Sequence, residues 1–144
     1  GTYKYYNPAG EMVDEHTSRL FCSFSDDAEF PYHQTNYYTW ADGRVETRDF
    51  PARYRDKRIW WDNELITGSA WEVDARTVLL TWTRKEMPGT YLYEMIQIAD
   101  GGETRCRTWH WIRNGQLETR TAIQEKLVTR DWRSLEAKLE VGAG

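Results

Sequence analysis

The sequence contains little cysteine and proline and no long apolar run. Its two cysteines, Cys22 and Cys106, form no Cys-x-x-Cys pair, so one disulfide and two free thiols of a reduced compartment are both compatible with the chain. Every apolar run is shorter than the roughly 18 residues that a membrane-spanning helix needs. No basic segment precedes an apolar one, as it does in a signal peptide. We therefore expect a soluble, cytoplasmic protein.

An excess of positive charge is also missing. The chain has 19 basic and 23 acidic residues and a net charge of −4, which argues against a broad surface for nucleic acid. It has neither a glycine-rich phosphate loop nor a Gly-x-Ser-x-Gly nucleophile turn, so nucleotide binding and serine-hydrolase chemistry are disfavoured. We expect no nucleic-acid partner, no membrane partner and no cofactor.

Aromatic residues are abundant, with 8 Trp, 9 Tyr and 4 Phe among 144 residues. The 10 Gly and 4 Pro fall at separated points, which disfavours disorder. The length fits one domain spanning residues 1–144, because domains cluster at about 100–150 residues.

Alternation of apolar and polar residues, interrupted by turn dipeptides, predicts β-strands throughout. Asp42-Gly43 and Asn114-Gly115 favour the left-handed conformation of two-residue hairpin turns, and a third hairpin loop is predicted at 100–102. About ten strands are predicted, near residues 2–6, 12–24, 32–40, 44–50, 57–61, 64–73, 77–83, 90–98, 104–113 and 116–128.

The short connections between these strands determine the predicted fold class. They are too short for crossover helices, so neighbouring strands must pair antiparallel. Closure into an up-and-down β-barrel would remove the exposed edges of such a sheet. Residues 134–141 fit either a last strand or a short helix that seals the barrel.

The opening of the chain resembles that of lipocalin-like (calycin) bacterial domains. Gly1-Thr2-Tyr3 and the later 7–11 stretch, Asn-Pro-Ala-Gly-Glu, are similar to the Gly-x-Trp strand and Gly-Glu turn of that group, with Tyr3 in place of Trp. The stretches 91–95 and 107–111 resemble uncharacterised members. The resemblance implies a lipocalin-like barrel. Because the group contains carriers, cyclases and decarboxylases, it implies the fold more than any reaction.

The turns predict which side chains face the barrel lumen. A two-residue turn at Asn114-Gly115 pairs Arg113 with Gln116 and would orient one face of the hairpin inward. A three-residue loop at 100–102 would then place Glu94 diagonal to His110. The residues predicted to face inward are His16, Ser18, Asn36, Tyr38, Trp40, Glu94, Thr108, His110, Thr119 and Thr121. The residues predicted to face outward include Glu46, Arg48, Arg105, Arg107, Trp109, Trp111, Arg113 and Arg120.

This inward set is too polar for a dry core, which predicts a pocket for a hydrophobic, aromatic or polyketide-like small molecule. Glu94 and His110 would act as a general acid/base pair, with His16 as a second base, in a cofactor-free cyclase, isomerase or decarboxylating lyase. The substrate would be oriented by Asn36, Tyr38, Trp40, Thr108, Thr119 and Thr121. The alternatives are a non-catalytic carrier or sensor, and a structural, filled barrel whose face of Arg and Trp residues mediates assembly.

Two further interpretations concern metal binding and assembly. His16, His110 and Glu94 would supply three metal ligands, but no local spacing motif supports a site, so we expect no metal. The stripe containing Trp109 and Trp111 interleaves aromatic and basic residues. A homodimer surface explains it better than single-stranded nucleic acid, given the net acidity.

Overall fold

The computed structural model describes residues 1–26, 29–131 and 133–135. Its strands are β1 (Thr2–Tyr6), β2 (Met12–Phe24), β3 (Tyr32–Thr39), β4 (Val45–Asp49), β5 (Arg53–Arg55), β6 (Arg58–Asp62), β7 (Ile66–Asp74), β8 (Thr77–Arg84), β9 (Thr90–Ile98), β10 (Thr104–Arg113) and β11 (Gln116–Lys126). Residues 133–135 form a short helical piece, and the rest of the predicted C-terminal element at 134–141 lies outside the described residues. No helix in the described ranges is long and apolar enough to cross a membrane.

The eleven strands form one antiparallel up-and-down sheet in the order β4-β3-β2-β1-β11-β10-β9-β8-β7-β6-β5. The sheet curls into a half-barrel, and β1 pairs with β11 in its middle. The segment between β4 and β5 links the two ends, because Ala52 and Tyr32 exchange backbone hydrogen bonds of 3.2 and 2.8 Å. The predicted all-β antiparallel fold is confirmed. The additional strand is β5, whose three exposed residues are too few to show an alternating pattern.

The predicted turn at Asn114-Gly115 is confirmed, whereas that at Asp42-Gly43 is one residue longer than expected. Asn114 and Gly115 have φ angles of 50° and 77°. In the turn at Asp42-Gly43, the Trp40 amide donates to the Arg44 carbonyl at 2.9 Å, so the loop has three residues rather than two. Tyr38 therefore pairs with Glu46. Glu46 and its face partner Arg48 lie on the inner side of the sheet, contrary to the prediction.

The loop between β9 and β10 is also longer than predicted. The Ala99 amide donates to the Thr104 carbonyl at 2.9 Å, so four residues form the loop. Glu94 consequently lies opposite Trp109 rather than Thr108. A shift of one residue in register moves every side chain of the strand to the other face.

A β-bulge in β11 shifts the register between β10 and β11, and it also reverses the predicted orientation of the β10 side chains. Arg113 pairs with Gln116 and Ile112 with Leu117, as predicted, but Trp111 then pairs with Thr119. The extra residue reverses the alternation of β10 relative to β11. The side chains turned inward are Arg105, Arg107, Trp109 and Trp111, and those turned outward are Cys106, Thr108 and His110.

The interior is apolar on one side and polar on the other. The apolar cluster combines Ala52, from the segment before β5, with residues of β6–β9, namely Trp61, Ile66, Ala70, Leu80 and Leu92. The smaller cluster on β1, β3 and β11 contains Tyr3, Tyr38 and Ile123. Trp109 packs against both clusters. Buried polar residues surround the second cluster, which makes the half-barrel amphipathic on its inner face.

Candidate functional site

A buried ion-pair network lies at the centre of the polar side. The Arg107 guanidinium donates to Glu94 Oε1 at 2.5 Å, to Glu125 Oε1 at 2.8 Å and to the Tyr3 hydroxyl at 3.1 Å. Arg105 donates to Glu125 Oε2 at 2.5 Å. Burial raises the pKa of the Glu125 carboxyl, but Arg107 and Arg105 outweigh it and hold that pKa below its usual value. The carboxylates of Glu94 and Glu125 are therefore engaged by cations.

A ladder of side-chain hydrogen bonds runs along the inner face of β3. The Tyr32 hydroxyl donates to Gln34 Oε1 at 2.9 Å, and the Gln34 amide donates to Asn36 Oδ1 at 2.9 Å. The Asn36 amide donates to the Tyr38 hydroxyl at 2.7 Å. Asn36 and Tyr38 thus face inward, as expected, and their polar groups bind one another.

His16 lies among four aromatic rings on the same side, which belong to Tyr3, Tyr5, Tyr38 and Trp40. Its ring stacks on Tyr3 with centroids 4.6 Å apart, and the Trp40 centroid lies at 4.5 Å. Nδ1 lies 3.1 Å from the Thr17 carbonyl, which only accepts, so Nδ1 carries the proton and Nε2 accepts from the Tyr5 hydroxyl at 2.9 Å. Burial lowers the pKa of His16, which favours the neutral imidazole.

The predicted pair of Glu94 and His110 does not form. His110 lies on the outer face opposite Tyr93, and Arg120 Nε donates to its Nε2 at 3.2 Å. Burial and the Arg120 charge lower the pKa of His110. Thr108 lies on the same outer face and is exposed. The four-residue β9–β10 loop and the bulge in β11 explain why His110 and Thr108 lie on the outer face rather than the inner one.

The other candidate residues from the sequence lie on the inner face. His16, Asn36, Tyr38, Glu94 and Thr121 are buried there. Trp40 and Thr119 are half-buried and lie at its margin. Trp109 and Trp111 pack against the apolar cluster, so the predicted dimer surface through these rings is not on the exterior.

Several buried polar atoms have no hydrogen-bond partner within the described ranges. They are Ser18 Oγ, Trp61 Nε1, Trp82 Nε1, Thr90 Oγ1, Trp109 Nε1 and Thr121 Oγ1. A buried polar group without a partner costs about 1–3 kcal/mol. Thr121 and Trp109 are opposite each other in β11 and β10, so two of these groups are neighbours on the polar side.

We expect Thr121→Val to leave the free energy of unfolding unchanged or raise it by up to about 1 kcal/mol, because a methyl group replaces an unpartnered hydroxyl of equal size. Asn36→Leu should instead cost about 2 kcal/mol, because it removes the hydrogen bond that Asn36 accepts from Gln34 and the one that it donates to Tyr38. Urea unfolding of the two variants tests this. A loss of more than about 1 kcal/mol in Thr121→Val would contradict it.

An open pocket of about 800 Å³ lies where β5 and β6 approach the β2–β3 connection. Its volume is in the range of small-molecule sites, about 300–1,000 Å³. It is lined by Glu29, Pro31, Arg53, Tyr54, Arg55, Trp60, Trp61, Asp62 and Thr67. Trp60 and Trp61 are adjacent in β6 and point to opposite faces of the sheet, so the pocket includes the sheet edge.

The charged groups of this pocket already have partners. Arg53 donates to Glu29 at 2.9 Å, and Arg55 lies 3.6 Å from Asp56. Lys85 donates to Asp62 at 2.5 Å and holds the pKa of that carboxyl below its usual value. The rim of the pocket is therefore close to electrically neutral.

The sequence pattern does not predict this pocket. The Trp60-Trp61 pair is visible in the chain, but the pattern gives no strand at β5, so nothing places Tyr54 beside the pair. The signal that could have found it is the reversal at 55–57, where Asp56 and Lys57 have φ angles of 54° and 59°. A tight hairpin turn of this kind joins two strands, one on each side.

Among the residues that the structure describes, no group of three His, Cys, Asp or Glu side chains is arranged to hold a metal ion. The sequence matches no known protein family, and no curated protein matches it.

Proposed function

We propose that this protein binds a planar, largely apolar small molecule in the open pocket beside β5 and β6, as a carrier or sensor with a lipocalin-like architecture. The observation that carries the proposal is an 800 Å³ pocket with three aromatic side chains, Tyr54, Trp60 and Trp61. Flat rings of this kind bind flat apolar ligands by stacking and by burial of apolar surface.

A binding role agrees better with these contacts than the acid/base reaction expected from Glu94 and His110. Glu94 is held in an ion pair by Arg107, and His110 lies on the opposite face of the sheet. A general acid and base must both reach the reacting atoms within hydrogen-bond distance. His16 is the remaining base candidate, and its ring is covered by Tyr3, Tyr38 and Trp40.

A fluorescence titration with 2-(dimethylamino)-6-propylnaphthalene, a flat and largely apolar fluorescent probe, tests this proposal. We expect saturable binding with one site per chain. Tyr54→Ala should weaken binding about 3- to 10-fold, because an aromatic contact contributes about 0.5–1.5 kcal/mol beyond its buried area.

Tyr93→Ala is the matched control. Tyr54 is 52% exposed and Tyr93 is 53% exposed, and each contacts another aromatic ring, but Tyr93 lies outside the pocket. The control should bind the probe as the unmodified protein does. Absence of saturable binding, or equal binding by both variants, would contradict the proposal.

A further inference from the structure

The outer face of four neighbouring strands, β7 to β10, carries no charged side chain in its three central rows. These rows of paired residues run from Trp71 to Thr108, from Ser69 to His110 and from Thr67 to Ile112. Each row contributes one residue per strand, and residues that pair across strands lie on the same face. None of these twelve described residues is Lys, Arg, Asp or Glu, although 29% of the chain is charged. We call these twelve positions the neutral face.

Half of the neutral face consists of large apolar or aromatic residues. They are Trp71, Leu79, Tyr91, Tyr93, Met95 and Ile112. Tyr93 is 53% exposed and Met95 is 43% exposed, and the rings of Tyr91 and Tyr93 meet edge to face with centroids 5.5 Å apart. The other half consists of Ser and Thr residues and His110. Aromatic residues and Met are enriched, and charged residues depleted, at the centre of protein–protein interfaces.

Charged side chains lie at the margins of the neutral face. Arg58 and Asp62 belong to β6 on one side, and Arg120 belongs to β11 on the other. The Arg58 guanidinium lies 4.6 Å from the centroid of the Trp71 ring, and Arg120 donates to His110. Burial and the Arg120 charge lower the pKa of His110, so this ring is uncharged near neutral pH. An uncharged centre with a charged rim is the usual anatomy of a protein–protein interface.

The absence of charge indicates what kind of partner fits the neutral face. Nucleic acids and acidic membrane lipids attract proteins through cations, and the neutral face has none. Membrane hydrocarbon would deprive the Ser and Thr hydroxyls of water. A second copy of the chain meets neither obstacle. A twofold contact places a face against itself, so a charged face would repel its copy whereas a neutral one does not.

We infer that the neutral face is a twofold contact between two copies of this chain. Four strands about 4.8 Å apart, crossed by three rows about 7 Å apart, give a flat area of about 400 Å² on each copy, to which the protruding rings add. Stable interfaces bury about 800 Å² per partner, and the curled sheet is convex on this side, so the contact is small. We therefore expect a reversible dimer with a Kd in the micromolar range. The contact differs from the one predicted through Trp109 and Trp111, whose rings pack inside.

Sedimentation velocity of the full chain, from low to high micromolar concentration near neutral pH, tests the inference. We expect a monomer that converts to a dimer over this range. Tyr93 lies in the central row, so Tyr93→Glu should weaken the dimer at least about tenfold, because it brings two like charges together across the contact. Phe24→Glu is the matched control, since Phe24 is 58% exposed, contacts other aromatic rings and lies on β2. It adds the same charge and should dimerise as the unmodified protein does.

The oxidation rates of two exposed methionines locate the contact in the unmodified protein. Met95 lies on the neutral face and is 43% exposed, whereas Met12 lies on β2 and is 54% exposed. Peroxide converts an accessible Met to its sulfoxide, and mass spectrometry measures the rate at each site. Raising the protein concentration should slow oxidation of Met95 several-fold and leave that of Met12 unchanged. This comparison uses no variant, so it does not depend on the folding of Tyr93→Glu.

Three results would overturn the inference. The first is a monomer at every concentration, whether or not the protein binds phosphatidylcholine vesicles. The second is a dimer that Phe24→Glu weakens as much as Tyr93→Glu does, or one that leaves the oxidation of Met95 unchanged, because the contact then lies elsewhere. The third is an assembly of three or more copies. No step of the inference uses a ligand, so it stands or fails independently of the proposed function.

Discussion

Arg107→Met is expected to lower the free energy of unfolding by about 3–5 kcal/mol, because it leaves buried carboxylates without their cation. Arg107 has a side chain that is 5% exposed, and it pairs with Glu94, which is 2% exposed, and with Glu125, which is 10% exposed. The Met side chain fills most of the space but donates no hydrogen bond. The Tyr3 hydroxyl loses its donor as well.

Urea unfolding measures this loss, and Arg113→Met is the matched control. Arg113 lies in the same strand and pairs with Glu118 at 3.6 Å, but both side chains are about half exposed. Exposed ion pairs contribute about 0–1 kcal/mol, so the control should lose no more than that. Equal stability of Arg107→Met and Arg113→Met would show that the buried pair contributes nothing.

The difference in unfolding free energy between the unmodified protein and Arg107→Met should also depend on pH. The pKa of Glu125 is held below its usual value in the folded protein. Its ion pairs therefore stabilise the fold above the unfolded-state pKa, and this contribution is lost as the pH falls through the folded-state pKa. In Arg107→Met, protonation instead relieves a buried unpaired charge. The difference in stability between the two proteins should narrow as the pH falls from about 7 towards about 3.

Gly68→Ala is expected to destabilise the fold by about 3 kcal/mol or more, at the upper end of overpacking effects. A Cβ atom at Gly68 would overlap the Thr81 carbonyl oxygen and lie 2.8 Å from the Trp82 Cα. Both are backbone atoms of the paired strand β8, so a side-chain rotation cannot relieve the clash. The Trp82 ring, whose Cδ1 would lie at 2.5 Å, would also have to move away from Trp61.

Gly101→Ala is the comparison for this variant. Gly101 has a φ angle of 85°, and no atom of the described residues lies within 4 Å of the position that a Cβ would take, so only the left-handed backbone is penalised. That penalty is about 1–2 kcal/mol. Thermal and urea unfolding should rank Gly68→Ala well below Gly101→Ala. The reverse order would mean that β7 and β8 separate to accept the methyl group at little cost.

Strand positions are readable from the sequence because their signals are local. The ranges predicted for β1, β2, β9 and β10 agree with the structure at both ends. The left-handed residues Asn114 and Gly115 mark their turn correctly. On β2 and β3, buried His16, Asn36 and Tyr38 share the predicted inner face. Turn residues and alternation depend on near neighbours in the chain, so no tertiary contact is needed to recognise them.

The orientation of β10 depends on tertiary structure. Its two faces are both mixed, with Arg107 and Trp109 on one and Thr108 and His110 on the other, so composition does not distinguish inside from outside. One extra residue in the β9–β10 loop and one bulged residue in β11 reverse the prediction. Arg107 lies inside because Glu94 and Glu125, from the strands on either side, neutralise it there.

The sequence alone therefore determined an all-β antiparallel chain, the approximate strand boundaries and the polar inner face of β2 and β3. Tertiary structure decided which carboxylates meet which cations, and it brought Tyr54 beside Trp60 and Trp61 to form the pocket. The physical reason is that alternation defines two faces of a strand, whereas the register with both neighbours selects the buried one. That register changes with a single inserted residue.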